Sequence, residues 1–382
     1  MFKDKLFFFL VLILIIFTAI ALELPRYFTQ KRSEFLIENE HASKDTDVIG
    51  TERKPIFAKG VYITFSTASN HRMEEIIDLI KRTELNAVVI DIKDVTGIIP
   101  FDTESDIINQ AGSEKIIIKD IKGLIGGLHR EGIYTIARIA VFEDNFLPAK
   151  RPDLAVKNQS GNLWHDNKGL TWLDPASEEV WAYTVALAKE AIKVGFDEVN
   201  LDYVRFPSDG ATGLIKYPFW DYKIPKAEII KEFFAYFSSR IKPLGVFVSA
   251  DLFGLTLTTT NDLNIGQWLE YAAPYFDYIC PMVYPSHYQA GSYGYENPAA
   301  HPYEIIYYGL TKGEERLASL SAANSNENVA KIRPWLQDFD MGAIYDVNMI
   351  NLEKKAVYDA NASGWLLWNP SNVYTEGALE KE

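Results

Sequence analysis

From residue 58 onward, short apolar runs alternate with stretches of helical period, and this alternation constrains the fold more than any other feature of the chain. The runs are "GVYITFS" (60–66), "AVVIDIK" (87–93), "IYTIARIAV" (133–141), "EVNLDYVRF" (198–206), "VFVSADLF" (246–253), "DYICPMVY" (277–284), "IRPWLQDF" (332–339) and "GWLLWNP" (364–370). Most are near-continuous in Val, Ile and aromatic residues, as strands covered on both faces must be. Between them, Met73, Ile76, Ile77 and Ile80 keep helical spacing within 72–84, as do Ile117, Ile121, Leu124 and Leu128 within 115–130, where Gly132 supplies a stop. Asp174-Pro175 reads as an N-cap followed by Pro at the first helical position, opening a helix with Trp181, Val185, Ala188 and Ile192 on one face. Ile229, Ile230, Phe233, Phe234 and Phe237 form another stripe, a shorter pattern runs through 265–273, and the last spans 347–361. The stretch between the sixth and seventh runs has the faintest helical period.

Strand–helix alternation demands parallel strands joined by crossover helices. Eight such units in about 315 residues predict an α/β chain folded as a (β/α)8 TIM barrel with long βα loops. The competing architecture, an open doubly wound sheet, is disfavoured because no Gly-rich phosphate turn follows the first run. Two connections, 142–173 and 285–303, are long and belong to the βα side, where barrels keep their active sites.

Ahead of the barrel, "LFFFLVLILIIFTAIAL" (6–22) carries no charge and follows Lys3 and Lys5; Ala19 and Ala21 form an A-x-A-like site. Residues 1–22 therefore read as a signal peptide or a transmembrane signal-anchor, 23–57 as a polar linker, 58–375 as the barrel and 376–382 as a tail. Either reading of the leader predicts an extracytoplasmic barrel, attached to the membrane by its N-terminal segment if that segment is uncleaved. The net charge of −14 argues against nucleic acid or a polyanionic substrate as the main partner, while leaving room for a local basic cleft. Cys280 is the one cysteine, so the chain makes no internal disulfide or cysteine-zinc site, and its apolar surroundings mark it as a buried small hydrophobe.

Polar residues gather toward the C-terminal ends of the runs. Asp91 and Lys93 end the second, Arg138 and then Glu143 the third, and Asp202 and Arg205 the fourth. Asp251 lies in the fifth, Tyr284 and then His287 follow the sixth, Trp335, Gln337 and Asp338 belong to the seventh, and Trp368 and Asn369 to the eighth. In a barrel these ends converge on one mouth, where catalytic groups are expected. Each also has a plain structural role open to it. Asp91 and Asp338 serve equally as helix caps or ion-pair partners, Lys93 as a balance for Asp91 or Asp94, and Arg205 as an orienting partner of a carboxylate. Trp335 and Trp368 serve as barrel packing and His287 as a surface loop residue. Asp202 and Asp251 stand out because each follows an apolar run, on neighbouring strands. Two carboxylates at one apolar mouth suit glycoside cleavage, in which one protonates the leaving oxygen and the other attacks carbon or activates water. Aromatic side chains stack on sugar faces, and an acidic, aromatic-rich cleft suits a neutral or cationic polysaccharide.

The motifs "ELNAVVIDIKD", "WLDPASEEVWAY", "GFDEVNLDYVRFPSDG", "SADLFG", "PMVYPSHY" and "GWLLWNPSNVY" together resemble a family of glycoside-hydrolase barrels of mostly unknown function, distantly related to the α-amylase and α-galactosidase-like clans. The resemblance covers residues 58–375. It implies a nucleophile at Asp202, an acid/base at Asp251, where amylase-like enzymes carry Glu, and a third, stabilising carboxylate at Asp338. Asp91, Lys93, Arg138, Glu143, Arg205, Tyr284, His287, Trp335, Gln337, Trp368 and Asn369 are then expected to contact the substrate, a carbohydrate polymer or oligosaccharide. No cofactor and no metal are expected. Two other functions compete: a carbohydrate-binding or cell-envelope barrel without catalysis, and a metal-dependent hydrolase. The six histidines (41, 71, 129, 165, 287, 301) lack HxH or HExxH spacing, which disfavours the second.

Overall fold

The computed structural model describes residues 56–323 and 329–381, so the apolar leader and nearly all of the expected linker lie outside the described residues. The chain runs β1 (Ala58–Ile63), α1 (Arg72–Lys81), β2 (Ala87–Lys93), α2 (Ile121–Arg130), β3 (Tyr134–Ala140), α3 (Glu178–Val194), β4 (Glu198–Asp202) and α4 (Lys226–Ile241). It continues through β5 (Phe247–Phe253), α5 (Leu269–Ala272), β6 (Tyr278–Met282), α6 (Pro302–Ala323), β7 (Lys331–Ile332), β8 (Trp335–Gln337), α7 (Val347–Asp359) and β9 (Gly364–Trp368). Neighbours pair in parallel around the ring from β1 to β6, β6 pairs with β7 and β8, and β8 passes through β9 back to β1. Because β7 and β8 share one place, the result is a closed eight-position barrel, as the alternation predicts.

The boundaries differ from the sequence reading where a backbone constraint intervenes. The fourth strand stops at Asp202 rather than Phe206, because Tyr203 has φ 55° and turns the chain out of the sheet. The seventh is cut at Arg333-Pro334, since Pro lacks the N–H that a ladder needs. The first begins at Ala58 and yields at Phe65 to a helical turn. The pattern over 115–130 is helical only from Ile121, where Asp120 accepts from the Gly123 amide at 2.7 Å, and that over 265–273 shrinks to Leu269–Ala272. The faint period before the seventh run becomes the 22-residue α6. Asp174 does not cap α3: Ser177 does, accepting from the Val180 amide. The Asp174 carboxylate is instead fully buried and clamps the Ala176, Phe219 and Trp220 amides.

Two hydrophobic layers result. Helix stripes, among them Phe233, Phe234 and Phe237 of α4, pack on the outer faces of the strands, and each such side chain contributes about 1.5–3 kcal/mol on burial. The barrel interior holds Tyr62, Val89, Ile136, Tyr278, Cys280, Trp335 and Leu366, and Cys280 is a free, buried thiol as expected. The β9–β1 seam closes through Gly364, whose φ of 118° and 2.3 Å gap from an added Cβ to the Ala58 carbonyl exclude any larger residue. Among the described residues no helix is long and apolar enough to cross a membrane.

Candidate active site

Parallel register decides which polar residues meet. Asp91 of β2 lies opposite Arg138 of β3, and Arg138 lies opposite Asn200 of β4. One layer higher Asp202 faces Ala140, while Asp251 of β5 is set against Cys280 of β6. A register shift between Asp91 and Lys93 separates these two side chains. Asp91 turns to Arg138. The Lys93 ammonium, also buried, donates to the Ala140 carbonyl at 2.6 Å and pairs with Asp144 at 2.8 Å. Lys93 thus balances Asp144, and neither Asp91 nor Asp94.

Arg138 is the hub. Its Nη1 donates to Asp91 Oδ1 at 2.5 Å, its Nη2 to Asp202 Oδ2, and its Nε faces Asp251 Oδ2 at 3.6 Å, too long for a hydrogen bond. Each acid has further donors. The Tyr62 hydroxyl reaches Asp91 Oδ2 at 2.5 Å; Asn200 Nδ2 and Trp335 Nε1 reach Asp251 Oδ1 at 2.9 and 2.8 Å; and the Tyr203 amide reaches Asp202 Oδ1 at 2.6 Å. The left-handed backbone at Tyr203 thus both ends β4 and aims an N–H at the Asp202 carboxylate. Tyr62 stacks on Trp368 at 3.9 Å, and the Arg138 guanidinium lies 5.0 Å from the Trp368 ring centre.

One cation therefore faces three buried carboxyl groups, and the imbalance moves their protons. Burial, opposed by Arg138, pushes Asp91 up to about 6. Burial and then the Asp202 charge push Asp251 up to about 8, against Arg138 and the two donors on its Oδ1. Burial works against the Arg138 cation too, but its three aspartates hold it well above the ordinary guanidinium value. Beside this group, burial pushes Glu143 up to about 7, with Arg205 Nη2 the opposing charge 3.9 Å away.

A cavity of about 420 Å³ opens at the ends of β4, β5 and β6. Asp202, Tyr203, Arg205, Phe253, Tyr284 and His287 line it, together with Lys168, Ser208, Asp209, Met282 and Tyr288. Asp251 is 1% exposed and sits behind this lining, whereas Asp202 is 6% exposed and belongs to it. The structure therefore brings Asp91, Arg138, Asp202, Asp251, Trp335 and Trp368 together, and sets Arg205, Tyr284 and His287 around the adjoining cavity. Asp338 joins neither group, because its carboxylate accepts from the Thr375 amide and hydroxyl at 2.9 and 2.7 Å. Asn369 Nδ2 donates to the Asp338 carbonyl. Gln337 accepts from Ser286 Oγ at 2.8 Å and so ties β8 to the loop bearing His287. Tyr62, Asn200, Lys168 and Asp209 escaped the sequence reading. A polar residue inside an apolar run was the available signal for Tyr62 and Asn200; the two loop residues offered none.

The family described as "Putative glycosyl hydrolase domain" matches residues 60–374. The chain belongs to this family. Membership makes it a glycosidase by class, with its specificity open. A hypothetical protein from Ruminiclostridium thermocellum ATCC 27405 is 37% identical over 50% of this chain and 96% of its own, with a TM-score of 0.44. The glycoside hydrolase domain of PgaB (BpsB) from Bordetella bronchiseptica shares the fold at 14% identity and a TM-score of 0.54, over 82% of this chain and 94% of that one. Alpha-L-fucosidase isoenzyme 2 from Paenibacillus thiaminolyticus does so at 14% identity and a TM-score of 0.55, over 85% of this chain and 47% of that one. No curated protein matches the chain.

Proposed function

We propose that the barrel hydrolyses a glycosidic bond of an extracytoplasmic polysaccharide by a two-carboxylate mechanism centred on Asp202 and Asp251. The observation that carries this reading is a single guanidinium, Arg138, hydrogen-bonded to Asp202 and 3.6 Å from Asp251, with Asp202 lining the cavity. Asp202, its oxygens positioned by Arg138 and the Tyr203 amide, attacks the anomeric carbon or activates water. Asp251, carrying its proton near neutral pH directly behind Asp202, is the acid of this reading and must reach the glycosidic oxygen past the cavity lining. The surplus of acids over Arg138 favours the positive charge that develops on the sugar ring in the transition state. Placement outside the cytoplasmic membrane rests on the uncharged run 6–22. Glu143 is the rival acid, because its carboxyl is also raised and its partner Arg205 lines the cavity.

The test compares Asp202→Asn, Asp251→Asn and Glu143→Gln on glycans and on aryl glycosides whose leaving group needs no proton. Asp202→Asn is expected to lose about 10³-fold or more in kcat on both. Asp251→Asn is expected to lose about 10²-fold on the glycan and far less on the aryl glycoside. If Glu143→Gln shows that split instead, Glu143 is the acid. Full activity of Asp202→Asn would end the proposal.

A further inference from the structure

The charges of the cavity do not follow the charge of the whole chain. Arg205, 7% exposed, spends only Nη1 on the protein, donating to Ser208 Oγ at 2.8 Å and the Phe206 carbonyl at 3.3 Å. Its Nε and Nη2 make no hydrogen bond among the described residues, and Glu143 Oε2, the carboxylate facing Nη2, stands at 3.9 Å, beyond bonding range. The rings of Trp172 and Phe253, 4.7 and 4.9 Å from the guanidinium carbon, hold it in place without satisfying a donor. Burial, only partly offset by Glu143 and then by Tyr203, Asp202 and Asp209, pulls Arg205 below the ordinary guanidinium value. Arg205 lines the cavity, so these donors are open to an acceptor that enters it.

A second cation shares the cavity. The Lys168 side chain is exposed and has no ion pair or hydrogen bond among the described residues, while its backbone is pinned by the Asp166 carboxylate at 2.8 Å. Desolvation, and after it the Lys168 charge, hold the His287 imidazole below its ordinary value, so this ammonium acts across the cavity lining. The lining has two carboxylates: Asp202, bound to Arg138, and Asp209, which forms no ion pair with Lys168 among the described residues; both act on Arg205 through their charge, and neither accepts a hydrogen bond from its guanidinium.

We propose that Arg205 and Lys168 form a subsite for a carboxylate borne on the glycan. Two open N–H groups of one planar fork match a planar carboxylate, and an exposed ammonium adds charge without demanding geometry. The substrate class is accordingly an acidic glycan, with its carboxylate either at C6 of a uronic acid or on an acidic ether of a ring hydroxyl. The inference rests on the glycosidase reading and names the substrate for its cavity.

The test is calorimetric binding to the Asp202→Asn chain of matched oligosaccharide pairs: uronic-acid oligomers against their carboxyl-reduced forms, and acidic-ether oligomers against the same sugars without the ether. The acidic member of at least one pair is expected to bind about tenfold more tightly, the discrimination of one charge-assisted contact, and the pair that discriminates names the source. Adding Lys168→Ala, at an exposed position, is expected to reduce that ratio several-fold, and Arg205→Lys, which keeps the charge but loses the fork, to reduce it further. Equal binding within both pairs, tighter binding of the neutral members, or binding of neither overturns the subsite. Hydrolysis of the same compounds by the unmutated chain separates the two readings. Cleavage of neutral members alone removes the subsite and keeps the glycosidase. Preferential binding of acidic members without cleavage of any glycan keeps the subsite and removes the glycosidase.

Discussion

The barrel interior contains two arginine-centred clusters at different heights, and they differ in balance rather than in chemistry. Near the N-terminal ends of the strands, Arg333 forks onto Glu198, which also accepts from the Ser249 and Tyr134 hydroxyls at 2.5 and 3.1 Å. Both partners are fully buried and their charges cancel one for one. Near the C-terminal ends, Arg138 faces Asp91, Asp202 and Asp251, and that excess of acids adjoins a cavity. A balanced buried pair cancels its own charge and serves the fold. An unbalanced cluster cannot ionise fully, so it retains a proton that can be used.

This contrast can be broken experimentally. The largest effect is expected from Arg138→Met, which leaves three buried carboxyl groups without a cation. Stability should fall by about 4 kcal/mol or more at pH 8 and recover toward pH 5 as Asp91 and Asp251 take up protons, read by denaturant unfolding across pH. Glu198→Ala should cost about 3–5 kcal/mol by stranding Arg333, with no comparable recovery between pH 8 and 5 and with kcat per folded molecule unchanged. A pH-dependent loss at Glu198 would erase the distinction between the clusters.

Asp251→Asn sharpens it. In the folded chain this carboxyl is raised from 3.8 to about 8, so the native state holds a proton that the unfolded state has released. Native stability therefore declines as pH rises from about 4 to about 8. The variant lacks this slope, and its melting temperature relative to the parent should climb across that window, on the order of 5 °C by pH 8. The smallest effect is expected from Trp335→Phe. The indole N–H holds Asp251 down, so its loss should move the basic limb of the pH–rate profile upward, on the order of half a unit. A downward shift would contradict the assigned hydrogen bond.

Much of the site is legible in the sequence. Arg138, Asp202 and Asp251 are charged residues in runs otherwise suited to burial, and strand polarity put them at one mouth. Asp338 met the same criterion, yet its carboxylate turns to Thr375, because the chain after β9 folds back over that strand end. From sequence Trp335 suits a sugar contact or packing; in the structure it is a buried donor to Asp251. The sequence does not pair Glu198 with Arg333, since 135 residues separate them and nothing in either run announces the other.

By itself the sequence determined the eight-unit alternation, the side of the barrel that carries the polar strand ends, and membership of the family. Those properties are local: period, composition and strand direction are written in consecutive residues. Only the tertiary structure decided which charge meets which. That depends on the stagger between strands and on ring closure, and a shift of one residue in register would move every inward side chain to the opposite face.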